Sequence, residues 1–155
     1  MVTIRLEVFG EAAISRELLR FSERALDAAP ALETIASMFY DSEKKQFSTE
    51  GEWASGGWKA LSPLYAIEKA KHTDWKQSIL QRTGALYDSL TGGDSDDGHK
   101  IVTPDTLTIT STVPYGVAHQ FGTEKMPMRK PVELPEGIKV DMVKVLQAWI
   151  VHGGS

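Results

Sequence analysis

His99-Lys100-Ile101-Val102-Thr103-Pro104-Asp105-Thr106-Leu107-Thr108-Ile109-Thr110-Ser111-Thr112-Val113 decides how this chain is built. β-Branched residues alternate with others on both sides of Pro104-Asp105, a dipeptide that suits a turn and removes a ladder donor. The stretch therefore predicts an antiparallel pair, 99–103 and 106–113, joined at Pro104-Asp105. Pro114 ends the pairing. Directly after it, Tyr115-Gly116-Val117-Ala118-His119-Gln120-Phe121 reads as a short helix stopped by Gly122.

Working outward, Ile14, Leu18, Leu19, Ala25 and Leu26 fall at helical spacing and predict a helix over about 16–28. Pro30 suits the first turn of a second helix, where its missing N–H is not needed. Leu32, Ile35 and Phe39 repeat at i, i+3 and i+7 and carry that helix to about 45 or 47. Ahead of both, 3–9 alternates: Ile4, Leu6 and Val8 point one way, Arg5, Glu7 and Phe9 the other, as in a half-buried strand. Residues 48–57 read as a glycine-containing loop around Trp53. Ser62 can cap a helix that Pro63 opens and that covers 64–71. Ile79, Leu80, Leu86 and Leu90 suggest a helix over 75–90, although Gly84 within it costs about 1 kcal/mol relative to alanine. Close packing of the 115–121 helix, or a hinge, would account for that glycine. An acidic glycine-rich loop follows at 92–98, and 131–134 suggests a final edge strand. Val140, Val143, Leu146 and Ile150 form a terminal amphipathic helix ending at Gly153. The expected fold class is α+β: one domain over 1–155, a small antiparallel sheet packed by amphipathic helices, with long loops or arms that order on assembly.

Composition narrows the function. A chain of 155 residues, 41% hydrophobic and 25% charged, is an ordinary globular domain that buries roughly two thirds of its surface. Seventeen basic residues against 21 acidic ones give a net charge of −4, which argues against a dedicated nucleic-acid binder. The absence of cysteine excludes disulfides and thiolate zinc sites. No apolar run approaches the roughly 18 residues of a membrane span. Residues 1–10 alternate and carry Arg5 and Glu7, unlike a signal peptide, so the expectation is a soluble protein folded where it is made.

No group of residues spells out a reaction. Asp94-Ser95-Asp96-Asp97-Gly98 superficially resembles a calcium loop, but counting from Asp94 puts glycine at position 5, histidine at 6 and aspartate at 12. An EF-hand needs glycine at 6 and glutamate at 12, so a solvated loop is the expectation. His119 has no His-x-x-x-His or Glu-x-x-His partner, and His72, His99 and His152 are remote in sequence. Ser111 and Asp105 lack a Gly-x-Ser-x-Gly turn. His119 is expected to be partly buried and bonded to nearby backbone, or else to make a polar contact at a subunit seam. Trp53 and Trp58 either fold back onto the core or anchor a loop against a neighbour. Lys125, Arg129 and Lys130 flank Met126-Pro127-Met128 as a small basic patch, either solvated or docked on an acidic partner.

Taken in order, Phe47, Trp58, Leu61, Pro63, Lys69, Ile79-Leu80, Thr83-Gly84, Leu86, Ser89-Leu90, Tyr115, Ala118, His119-Gln120, Phe121-Gly122, Pro127 and Arg129 resemble the tail-completion (virion morphogenesis) family of tailed bacteriophages. After Pro127 the family pattern continues with alanine and an Arg-Pro-Phe run, whereas Met128, Lys130 and Val132 intervene here. The resemblance implies a structural protein without catalytic residues, metal or cofactor. It implies a neck or tail-terminus component of a contractile-tailed phage, assembled in the bacterial host cytoplasm and carried in the virion. Such proteins cap the tail tube and sheath or join tail to head, often as a hexameric ring of copies of themselves. They contact head-side connector proteins, let DNA pass through the lumen without sequence-specific binding, and need no membrane. A closed ring uses two different surfaces of each subunit. One is expected at the Trp53/Trp58 loop, the other near Tyr115, His119, Phe121 and Arg129, with Asp94, Asp96 and Asp97 as a possible channel-lining loop that repels DNA. A head-side connector or adaptor is the structural alternative. A small phage hydrolase is the enzymatic one, and it would need a cluster of catalytic polar groups.

Overall fold

Phe47 stands at the centre of the fold. It lies near the end of α2 (Ala29–Ser48), is wholly buried, and meets the rings of Trp58 and Tyr87 edge-on at 5.4 and 5.3 Å. Such T-shaped pairs set the positive ring edge against the negative face and add to area burial. Ile79, Leu86, Leu90 and Val113 complete the core. The computed structural model describes residues 11–153, so the alternating segment 3–9 lies outside the described residues.

α1 (Glu11–Leu26) precedes α2, and the short link between them is tied down twice. Ala29 N donates to Asp27 Oδ1 at 3.2 Å, and Ala28 N donates to Pro104 O at 2.7 Å, across to the hairpin turn. α1 packs against the terminal helix α7 (Glu136–His152) rather than covering the sheet. α2 is the spine: it touches α7, α5 (Ala85–Thr91), the short α3 (Glu52–Ser55) and both strands.

The hairpin that the sequence predicts is present. β1 (Gly98–Val102) pairs antiparallel with β2 (Leu107–Ser111), from Gly98 opposite Ser111 to Val102 opposite Leu107. Its turn is closed by Thr103 N donating to Thr106 O at 2.8 Å, while both threonine hydroxyls donate to Asp105 Oδ1. Two strands alone are marginal in water, and here α2 and α5 support them. With seven helices and one two-stranded sheet among the described residues, the fold is α+β. No described helix is long and apolar enough to cross a membrane.

α4 (Pro63–Lys71) starts as expected, with Ser62 Oγ accepting from Tyr65 N, and α6 (Gly116–Phe121) ends at Gly122. Four expectations need correction. The helix expected over 75–90 forms only from Ala85, because Gly84 adopts φ +90° and Leu80 φ +60°, both incompatible with a continuing right-handed helix. The turns before it are laced by the Gln77 side-chain amide, which donates to the carbonyls of Lys69 and Trp75. The close approach of α6 is real but falls elsewhere: a Cβ on Gly116 would meet Leu86 Cδ1 at 3.3 Å, whereas Gly84 faces Lys76 and Asp88. Residues 131–134 pair with no strand; a side chain from α6 takes the place of one. Finally, the loop expected over 48–57 contains α3.

Candidate assembly surface at α6

α6 is held from beneath by polar side chains that act as substitutes for backbone. The Gln120 amide works in both directions: Nε2 donates to Val132 O at 2.9 Å, and Oε1 accepts from Val132 N at 3.1 Å. That is the pairing a neighbouring strand would make, supplied by one side chain. Arg129 N donates to His119 O at 2.9 Å, closing the chain back under the helix. The Arg129 guanidinium, almost fully buried, donates through Nε to Lys59 O at 2.6 Å and through a terminal nitrogen to Ala60 O at 2.9 Å. Burial lowers its pKa somewhat, yet an arginine stays charged, and charge-assisted bonds to two carbonyls compensate its desolvation. Trp58 Nε1 and Gln46 Nε2 both donate to Lys130 O, at 2.9 and 3.2 Å.

Two of the residues expected at an interface, Trp58 and Arg129, are thus turned inward and offer little surface in this chain. Trp53 is half-buried beside α2, its Nε1 donating to Ser42 Oγ at 2.9 Å and Lys45 Nζ lying 4.6 Å from its ring centre. His119 sits edge-on to Tyr115 at 6.0 Å. Its Nδ1 is buried with no hydrogen-bond partner, which corrects the expected bond to nearby backbone. Burial, and then the nearby Arg129 charge, lower its pKa and keep the ring neutral.

What α6 shows to solvent is apolar. Phe121 is 76% exposed and Val117 67%, and Tyr115 is also exposed. Beside them runs a groove of about 340 Å³ floored by Leu86 and Leu90 and walled by Pro131 and Val132. The acidic loop joins α5 to the hairpin, at the end where Gly98 lies opposite Ser111. Asp97 is occupied there, its Oδ1 accepting from Thr112 Oγ1 and its carbonyl from Thr112 N, while Asp94 and Asp96 are exposed. No group of three or more His, Asp or Glu side chains able to hold a metal occurs among the described residues.

Periodicity did not reveal the buried polar residues of the core. Lys69 Nζ donates to Ser78 O at 2.6 Å, and burial lowers its pKa against the opposing pull of Glu50. The Glu50 carboxylate in turn accepts from Ile79 N at 2.9 Å. Glu43 is fully buried with neither carboxylate oxygen hydrogen-bonded, and burial pushes its pKa up to about 8. The signal available was position: Glu43 and Gln46 share the helical face of Phe39 and Phe47, where a polar residue must be satisfied or neutral.

These features define a small α+β protein whose special polar residues brace loops and whose distinctive surface is apolar. A model of the phage virion morphogenesis family matches residues 11–143, and the chain belongs to that family. No curated protein and no solved structure gives a significant match. The residues that carry the family resemblance map onto the core and its braces: Phe47, Trp58, Ile79, Leu86 and Leu90 pack together, while Lys69, Gln120 and Arg129 tie the loops around them. Tyr115 and Phe121, which carry the resemblance too, lie exposed at α6.

Proposed function

We propose that this protein completes the phage tail or joins it to the head, as a ring of identical subunits at the head-proximal end of the tail. Its membership of a virion morphogenesis family supports a structural role in the particle. The observation that carries the reading is the exposed apolar surface of α6, Val117 and Phe121 beside the Leu86/Leu90 groove. Exposed contiguous apolar patches of this kind mark interaction sites. Tyr115 and Phe121 are the residues proposed to reach a neighbour, while Trp58 and Arg129 act by holding the loops under them. Tail tube, sheath and head-side connector proteins are the proposed partners, and Asp94 and Asp96 the residues proposed to face passing DNA.

The test is electron microscopy of lysates from a phage or induced prophage lacking this gene. Filled heads beside unattached tails of normal length are expected. Tails of excess length would instead assign length termination, and DNA-free leaky heads a head-side connector. Normal virions would overturn the structural role and bring an enzymatic one forward.

A further inference from the structure

The hairpin has an edge that no other described element pairs with. Ile101 lies opposite Thr108, and the bonds from Thr103 N to Thr106 O and from Thr112 N to Asp97 O fix the phase of the ladder. His99 and Ile101 therefore turn their backbone groups towards β2, and Lys100 and Val102 turn theirs away from it. Among the described residues, nothing bonds the backbone amide or carbonyl of Lys100 or Val102. His99, Lys100 and Ile101 are exposed in succession. β2 is more sheltered: its residues alternate between half-buried and exposed, and Ser111 at its end shares a hydrogen bond of 2.8 Å with Ser89 of α5. An open edge offers a row of donors and acceptors to another strand, and a sheet of two strands is marginal in water.

The sequence holds one strand pattern still to be placed. Of the stretches that read as strands, the two arms of the hairpin pair with each other, and Gln120 takes up the Val132 backbone. Residues 3–9 are left. Their alternation suits the β1 edge. Lys100 reaches Glu33 of α2 at 2.6 Å, so the side of β1 that carries Lys100 and Val102 is the helix side, and His99 and Ile101 face solvent. Set beside β1, Ile4, Leu6 and Val8 would continue the helix side, with Arg5 and Glu7 on the solvent side. The placement of α1 directs this strand to a neighbour. Every residue from Ile14 to Arg20 is exposed, and the helix is fastened at its other end, by Arg24 to Ile150 O and by Ala28 N to Pro104 O. Glu11 stands about 22 Å along the helix from Leu26. Gly10 alone links Glu11 to Phe9, so segment 3–9 departs from the end of α1 remote from the hairpin turn.

We infer that residues 3–9 of one copy add as a third strand to the β1 edge of a second copy. Adding a strand to an open sheet edge is a common way for one chain to hold another, with main-chain hydrogen bonds giving the affinity. The donated strand and the receiving edge are different surfaces, so the contact is heterologous and repeats around a ring. The inference rests on the ring reading above and names the elements that meet.

The absence of cysteine makes the test clean. Arg5→Cys and His99→Cys, both on the solvent side of the proposed sheet, are made separately and together in the full chain. A short bismaleimide is added to the purified protein and to tails assembled from it. A mixture of the two single variants is expected to give a cross-linked dimer, and the double variant a ladder of multimers. Adding Leu6→Glu should reduce that ladder at least tenfold. Hydrogen exchange at 98–102 should slow at least tenfold when the parent chain assembles, because the Lys100 and Val102 amides gain acceptors. A double variant that yields only internally linked monomers would overturn the inference and return the strand to its own hairpin. Dimers from Arg5→Cys alone, as abundant as in the mixture, would replace it with a symmetric contact between N-terminal segments. Oligomers seen by light scattering with no cross-link between positions 5 and 99 would overturn it and leave the ring reading standing. Absence of cross-links in both purified protein and tails would also overturn it, while the gene-deletion phenotype judges the function independently.

Discussion

Glu43 is the residue whose chemistry departs furthest from its ordinary state. It is buried without a hydrogen bond, and its carboxyl is held near pKa 8 instead of 4.5 by desolvation alone. The folded-state value stands above the unfolded one, so the folded chain binds the proton more tightly. Stability is therefore greatest below about 4.5 and declines as pH rises, until the slope ends near 8. The limiting slope for one proton is about 1.4 kcal/mol per pH unit. His119 acts in the opposite sense: its pKa is lowered, so its contribution is lost as pH falls below about 6.5. Urea unfolding of the parent and of Glu43→Gln between pH 6.5 and 9 separates the two. The variant should gain on the parent with each unit up to about 8 and hold a constant advantage above it. Parallel pH profiles would show that Glu43 does not hold the proton.

At the scale of elements, the turn before α3 is the most constrained piece of backbone. Gly51 has φ +90°, and a Cβ there would run into the Trp58 indole, while Gly56 has φ +71° with open space around it. Gly51→Ala must therefore displace the tryptophan that packs on Phe47, and Gly56→Ala meets only the backbone preference. The expected losses in chemical denaturation are more than about 3 kcal/mol for the first and about 1 kcal/mol for the second. Equal losses would mean that Trp58 can move aside without harm. The same physics explains which elements were legible. The hairpin, α2, α4, α6 and α7 announced themselves by period, proline and caps, all local signals. The segment 75–84 reads as helix by apolar spacing, yet Leu80 at φ +60° and the Gln77 side-chain bonds to the Lys69 and Trp75 carbonyls hold it in turns. Residues 131–134 form no strand, and the Gln120 side chain pairs with the Val132 backbone instead.

At the scale of the whole molecule, the acidic loop is proposed to face a lumen and the apolar α6 surface a neighbour. Asp94 and Asp96 are exposed and serve no hairpin bond, so Asp94→Lys with Asp96→Lys should leave folding within about 0.5 kcal/mol of the parent. If this loop lines the channel, phage carrying both substitutions should assemble normally but eject DNA more slowly. Unchanged ejection and infectivity would remove the loop from the lumen. Which of the residues expected at an interface would be exposed was only half legible in the sequence. Phe121 and Tyr115 are exposed as an interface requires, whereas Trp58 and Arg129 lie inside. Residue type alone did not separate them, because tryptophan and arginine serve equally as interface anchors and as core braces.

Local pattern determined the α+β class, the hairpin and its turn, most helices and the ordered residues that mark the family, because each depends on neighbours within a few positions. Tertiary structure alone decided where the buried polar groups go. Gln120, Arg129 and Lys69 find their partners 9 to 70 residues away, and the low-dielectric core makes an unpaired polar group costly enough to select those pairings. It also decided that α1 turns its leucines outward, since a helical wheel defines a face but only packing says what, if anything, covers it.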